Sequence, residues 1–569
     1  MSDKMPLRVV LCWHMHQPSY RSVGNREYLL PWVYLHAIKD YIDMAALIEA
    51  SPGAKAVINF APILLEQIDD YCHQIRSYLE NGTPIFDPLL ASLAGELGGD
   101  SLELKRKLIT NCLKANDVRL VQRFEDFARL VRIAKEVLAD EHGVSYVSDE
   151  FLRDLAVWYH LAWLGETVRR DNERVNGLME KQAQYNKEDC QTLLRVILEL
   201  MEKIVPRYKQ LAEKGQIELS FTPYAHPIIP LMLDLKSAEE AMPKVHLPAT
   251  AQYPGGEQRS LWHIERGIEV FEQFFKRKPD GCWPSEGSVS DATLRLCDKM
   301  GIRWIASGEN VMRNSLAKNQ KLKSELENEC THRPYKINDC NTVCFFRDDG
   351  LSDLIGFTYS DWHADDAVNN FIHHLENIYK ACKNPQDSVV SVILDGENAW
   401  EHYPENGYYF LSTLYKRLTE HPHIQLTTFS KVLDENTNPV NLNHITAGSW
   451  VYGTFSTWIG DPDKNKGWDL LIAAKHVYDR VLERGELSEE QRRLATQQLA
   501  ICEGSDWFWW FGDYNPAASV NDFDRLYRYQ LKELYKLLKE PIPPELDSPI
   551  SVGGGTPEGG GAMRRGSEV

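Results

Sequence analysis

Short apolar runs alternate along the chain with longer stretches in which apolar residues recur every three or four positions. Val9 to Trp13, Ala56 to Phe60, Ile217 to Phe221, Gly281 to Trp283, Trp304 to Ala306, Leu354 to Phe357 and Val389 to Leu394 read as buried strands. Segments between them, such as Asp291 to Met300 and Ala367 to Lys380, have the spacing of amphipathic helices. Strand, helix, strand in repetition predicts a parallel sheet, and about seven strands predict a closed or nearly closed barrel.

Two regions break that rhythm. Residues of roughly 65–215 are almost wholly helical in pattern, as in Leu102 to Leu113, Phe124 to Leu138 and Cys190 to Lys214, and read as a helical insertion after an early strand. From Gly448 onward come Trp-rich loops, then helices at Leu470 to Arg484, Glu489 to Cys502 and Arg525 to Leu538. The expected organisation is therefore an α/β catalytic unit over 1–435, a mainly helical region over 436–545 that completes the cleft, and a Gly-rich disordered tail over 546–569.

Composition narrows the function. A net charge of −19 argues against a polyanionic partner such as nucleic acid, which needs a basic face to release counterions. No apolar run approaches the roughly 18 residues needed to cross a bilayer, and Leu7 to Trp13 is too short and too quickly polar for a signal peptide. Eleven scattered cysteines without a CxxC pair predict reduced, buried thiols. The expected compartment is the cytoplasm, and the expected partner a neutral substrate, with no membrane contact. Fifteen tryptophans suit sugar rings stacking on indole faces, although most of the aromatic residues will be core.

Two apolar runs end in acids. Trp283-Pro284-Ser285-Glu286-Gly287 puts a carboxylate where a strand meets Ser and Gly, and Val389 to Leu394 runs into Asp395-Gly396-Glu397-Asn398. Chemistry in parallel α/β architectures sits at the carboxyl ends of the strands, so Glu286 and Asp395 are the candidate catalytic pair. The plainer role for both is capping of the turns that follow. Glu397 competes with Asp395: two residues along an extended chain point to the same side. Asp395 is preferred, because Gly396 lets the chain turn away, which leaves Glu397 as an acceptor for sugar hydroxyls or a partner for a cation.

His14 and His16 alternate at the end of the first strand, and with His226 they raise the alternative of a metal centre. Gln17-Pro18 follows where such a centre would carry an acid, so no metal or cofactor is assigned, and His16 is expected to donate to a substrate hydroxyl. Glu218 is either a structural partner for a strand-end histidine or a ligand for hydroxyls. Arg347, ending another apolar run, either holds a catalytic carboxylate ionised or makes a structural ion pair. In Gly504 to Asp513 the bulky rings are too many to face one core, so some should line the cleft.

These blocks resemble glycoside hydrolase family 57, in its α-amylase and amylopullulanase-like branch. His14-Met15-His16-Gln17-Pro18, Gly215 to Glu218 through His226-Pro227, Trp283 to Glu286, Asp395 to Asn398 with Trp400 to Tyr403, and Trp458-Ile459-Gly460 with Lys464-Asn465 and Trp468 follow the family's order of five blocks. The resemblance implies an incomplete (β/α)7 barrel with a C-terminal helical domain. It implies Glu286 as nucleophile and Asp395 as acid/base, and supports Trp510 and Asp513 near the substrate; with the residue-level readings the expected substrate contacts are His14, His16, Glu218, His226, Trp283, Arg347, Glu397, Trp458, Trp510 and Asp513. Tyr514 and Asn515 depart from the family, which usually carries another acid or His there. The implied activity is retaining cleavage of α-1,4 links in starch, glycogen or maltodextrin through a glucosyl-enzyme. The alternatives are a 4-α-glucanotransferase or branching enzyme, a metal-dependent carbohydrate hydrolase, and a non-catalytic glucan-binding protein.

Overall fold

A computed structural model describes residues 4–555 apart from 25, 251, 327, 328 and 436. Among them the strands are β1 Leu7–Met15, β2 Ala56–Phe60, β3 Ile217–Phe221, β4 Trp304–Ser307, β5 Tyr335–Ile337, β6 Val343–Phe346, β7 Val389–Asp395, β8 Ile424–Leu426 and β9 Val440–Leu442. The protein is mixed α/β, with a parallel sheet surrounded by many helices. One sheet runs β3-β2-β1-β7, with β8 also pairing β1, and the other runs β4-β6-β5-β9. Single parallel bridges join Phe221 to Cys282, Cys282 to Ile305, and Arg347 to Ser391. Every residue of β1 is buried, as both faces of a covered parallel strand require.

Register decides what can be a site. His14 lies opposite Asn59 on β2 and opposite Asp395 on β7, and Asn59 in turn opposite Ser220 on β3. Four polar residues thus share one layer near the carboxyl ends of four adjacent strands.

Between β2 and β3 the described chain is helical from Pro62–Asn81 to Lys187–Glu213, as the periodicity predicts. The last of these helices starts with a capping box, Asn186 and Asp189 each accepting from the other's backbone N–H. Two expected strands differ. Leu354 to Phe357 is a π-turn, Leu354–Thr358, with Ile355 and Gly356 buried and their neighbours half-buried; a four-residue apolar run carries too little periodicity to separate strand from helix. Gly281 to Trp283 pairs only through Cys282.

The chain also stays packed beyond 545, where a disordered tail was expected. Ile550 and Ser551 are buried, and their N–H groups donate to Asp524 at 2.7 and 3.2 Å on the helix Ala517–Leu537. Gly554 and Gly555 donate to the Asn515 carbonyl. Glycine content there marks tight backbone contact rather than disorder: a Cβ on Gly555 would lie 1.9 Å from the Tyr514 carbonyl oxygen. The remainder of that expectation, residues 556–569, lies outside the described residues. No helix among the described residues is long and apolar enough to cross a membrane, and all eleven cysteines are free thiols.

Candidate active site

Glu286 and Asp395 line one cavity of about 710 Å³, together with His14, His16, His226, Arg347, Glu397 and Trp510. The sequence-derived candidates therefore converge, except for four. Glu218 is buried below the cavity, accepting from Trp304 Nε1 at 2.6 Å and from Ser430 N at 2.9 Å. It is the second residue of β3 and so sits at the amino end of the strand, away from the chemistry. Trp283 and Trp458 are fully buried. Trp283 packs edge-on against Trp450 at 5.3 Å, and Trp458 against Trp509 at 6.0 Å. Asp513 is exposed and not part of the cavity lining.

Glu286 sits in a tight turn with φ of 57°, a left-handed conformation that costs a non-glycine residue about 1–2 kcal/mol. Strain of this kind persists where surrounding contacts impose it. Here the Trp450 N–H donates to the Glu286 carbonyl at 3.1 Å and Trp450 Nε1 donates to Glu286 Oε2 at 2.9 Å. His226, also left-handed with φ of 62°, places Nδ1 3.8 Å from Glu286 Oε1. Trp450 thus holds both the backbone and the carboxylate of Glu286, with the His226 ring beside it.

Asp395 ends β7 and accepts from Asn398 Nδ2 at 2.9 Å. Burial pushes its carboxyl above the ordinary value, against the opposing pull of Asn398, His16 and Arg347. Glu397 is raised further, by burial and by the neighbouring Asp395 and Asp40. Its Oε1 accepts from His16 N, Gln17 Nε2 and Tyr41 OH, each at 3.2 Å. Arg347 donates to Ile393 O at 2.8 Å, Asp349 at 2.8 Å and Asp353 at 2.7 Å. It makes the structural ion pair of its two expected roles, and acts on Asp395 only at longer range.

The three histidines form a stack. His14 Nδ1 bonds Asn59 Oδ1 at 2.6 Å, His226 Nδ1 bonds Ser505 Oγ at 2.8 Å, and His16 Nε2 bonds Asp506 Oδ1 at 2.9 Å. His14 Nε2 meets His226 Nε2 at 3.2 Å. Burial, and the other imidazoles, lower His14 to about 3 and His226 well below its ordinary value, so both are neutral hydrogen-bonding rings at neutral pH. The three rings have ligand atoms within 4.8 Å of one another, close enough to raise the question of an ion. Yet His16 and His226 stack at 3.8 Å with planes 14° apart. Imidazole lone pairs lie in the ring plane, so two stacked rings direct them side by side and not at one tetrahedral centre. The arrangement suits hydrogen bonding.

Asp506, Trp450, Asn59 and Ser505 escaped the sequence reading. Asp506 lies beside the tryptophans singled out between Gly504 and Asp513, and an acid ahead of that aromatic run was the available signal. Three buried polar atoms of residues lining the cavity have no protein partner among the described residues: His16 Nδ1, Glu397 Oε2 and Asp506 Oδ2. Each of the three could take part in a further hydrogen bond. The cavity also carries Glu286, Asp395, Glu397, Glu401, Asp506 and Asp522 against Lys114 and Arg347, a balance unfavourable to anions.

Two acids that follow strand ends and line one cavity are the kind of pair that glycosidic-bond cleavage requires. Residues 10–445 match the model of glycosyl hydrolase family 57, and the chain belongs to that family of enzymes. Its fold is similar to that of a GH57 branching enzyme from Thermococcus kodakaraensis, at 14% identity over 94% of this chain and 90% of that one, with a TM-score of 0.55. The α-amylase AmyC from Thermotoga maritima is similar at 14% identity over 94% of this chain and 93% of that one, TM-score 0.55. The 4-α-glucanotransferase from Thermococcus litoralis has 13% identity over 94% of this chain and 60% of that one, TM-score 0.51. No curated protein matches the chain significantly.

Proposed function

We propose that this protein is a retaining enzyme acting on α-1,4-glucosidic bonds of starch, glycogen or maltodextrins. The observation that carries the proposal is the convergence of Glu286 and Asp395 in one cavity whose unpartnered polar atoms suit sugar hydroxyls. Glu286 attacks the anomeric carbon while Asp395 protonates the leaving oxygen; Asp395 then takes a proton from the water that releases the glucosyl group. Retention requires the two carboxyl groups about 5–5.5 Å apart. His16 and Glu397 bind hydroxyls of the reacting sugar through their unpartnered atoms, His14 and His226 line the site beside them, and Trp510 supplies an apolar face.

The run of parallel pairing from β3 through Cys282, β4, β6 and Arg347 to β7 supports an incomplete (β/α)7 barrel. On this reading the catalytic unit spans 1–435 and the mainly helical region beyond it completes the cleft. Free thiols fit a reducing compartment, the cytoplasm.

Product analysis on maltoheptaose tests the proposal, with reducing ends counted beside chain lengths. Wild type should give shorter sugars with a matching rise in reducing ends, and Glu286→Gln none. Longer products with few new ends would assign a glucanotransferase or branching activity to the same pair. Undiminished activity of Glu286→Gln would remove Glu286 from the chemistry.

A further inference from the structure

Lys114, Ala115 and Asn116, from the helical insertion, line the cavity together with residues that come from two other parts of the chain. At one end of this segment Lys114 Nζ meets Asp522 Oδ2 at 2.9 Å, on the helix Ala517–Leu537, whose Ala518, Ser519 and Phe523 also line the cavity. At the other end Arg119 donates from Nε to His402 O at 2.8 Å and from Nη2 to Ser360 O at 3.1 Å. His402 belongs to the turn that follows β7, in which Asn398 and Glu401 line the same cavity. The segment is internally fixed: Asn116 Oδ1 accepts from Arg119 N at 3.0 Å, and Tyr159 OH donates to the Lys114 carbonyl at 3.1 Å. Val118 faces solvent at 67% exposure, so the segment has an outer side as well as one turned to the cavity.

We propose that residues 114–121 are a strap that closes one end of the cleft, so that the enzyme takes a glucan by a chain end and not by its middle. This rests on the glucan reading above. A chain bound by its middle must leave the site in both directions, and a segment tied to both walls blocks one of them. The volume agrees: about 710 Å³ falls within the range of about 300–1,000 Å³ typical of sites that enclose a small ligand, and suits a short oligosaccharide. Lys114 and Arg119 are then specificity-determining, because they hold the strap to opposite walls.

Maltoheptaose and cyclomaltoheptaose have the same seven sugars, but the ring has no end. Wild type should show a kcat/KM at least tenfold higher for the linear sugar, and Lys114→Ala/Arg119→Ala should narrow that preference at least threefold. Amide exchange over 114–121 checks that the double variant frees the strap, and Asp522→Asn loosens one tie alone should the double variant not fold. Equal turnover of both sugars by wild type, or an unchanged preference once exchange shows the strap released, would overturn the inference alone. No turnover of either sugar by wild type would overturn the glucan reading and this inference with it.

Discussion

Replacing Asp395 by Asn separates the roles of two adjacent acids. The amide keeps the size of the carboxyl and an oxygen that can accept from Asn398 Nδ2, now at 2.9 Å, but has no proton to give the leaving group. General acid catalysis contributes about 10²–10⁴-fold, or about 3–5 kcal/mol, so kcat/KM for maltoheptaose should fall by that factor. An aryl maltoside with a nitrophenolate leaving group needs no such proton, and its bond-breaking step should lose less than about tenfold. The pH profile carries the sign. Burial raises the Asp395 carboxyl, and an acid must be protonated to act, so on the proposed assignment wild-type activity on maltoheptaose should be present below the raised pKa and lost as pH rises through it. On the aryl substrate the variant should lack that basic limb. Glu397→Gln, by contrast, disturbs a carboxylate oxygen that holds three donors, and should weaken both substrates alike. Leaving-group dependence in Glu397→Gln with none in Asp395→Asn would refute the assignment and exchange the two roles.

Other contacts lead to further expectations. Trp450→Phe keeps a ring against Trp283 and removes the N–H held to Glu286 Oε2; a hydrogen bond to a charged group is worth about 1.5–3 kcal/mol, so kcat/KM should fall about 10- to 100-fold with little change in melting temperature. Glu503→Ala leaves Arg259 buried without the carboxylate now 2.7 Å away, and should destabilise by about 3–5 kcal/mol in denaturant unfolding. Burial pushes the Glu503 carboxyl up, but Arg259 and His263 outweigh it and hold it at about 2, so wild-type stability should be lost as pH falls from about 4.5 towards 2, a slope the variant lacks. Dialysis against a chelator should leave activity within about twofold if the histidine stack works through hydrogen bonds; a larger loss restored by zinc would show that His16 turns out of the stack to bind an ion.

The legible parts of the fold were those in which local pattern and burial agree. β2 and β3 are short, mostly apolar, wholly buried segments and form where the pattern puts them, while Leu354 to Phe357 is more apolar still and turns helical. Both strand-end acids were readable because the chemistry of parallel sheets sits at one end of each strand. The same rule, applied to position within the strand, separates Glu218 from the site: it opens β3 where Asp395 closes β7. What composition could not show was which distant groups meet. Trp450 reaches Glu286 across 164 residues, and Asp506 reaches His16 across 490. A tryptophan or an aspartate in a loop carries no mark of such a partner, and of the three indole rings expected at the substrate Trp283 and Trp458 are core while Trp510 lines the cavity.

The placement of those distant partners bears on how the site works. The family match ends at residue 445, yet Trp450, Ser505 and Asp506 lie beyond it and fix Glu286, His226 and His16. The strand ends supply the candidate site residues, and the C-terminal segment supplies donors and acceptors that hold three of them. Two of the oriented residues, Glu286 and His226, have left-handed backbones that local sequence disfavours. The observed conformations therefore depend on contacts made by chain more than 160 residues away, and the geometry of Glu286 is coupled to docking of the C-terminal region. A loosened C-terminal region should lower catalysis before it lowers the stability of the sheet, because the strained turns lose their restraint while β1, β2, β3 and β7 keep their pairing.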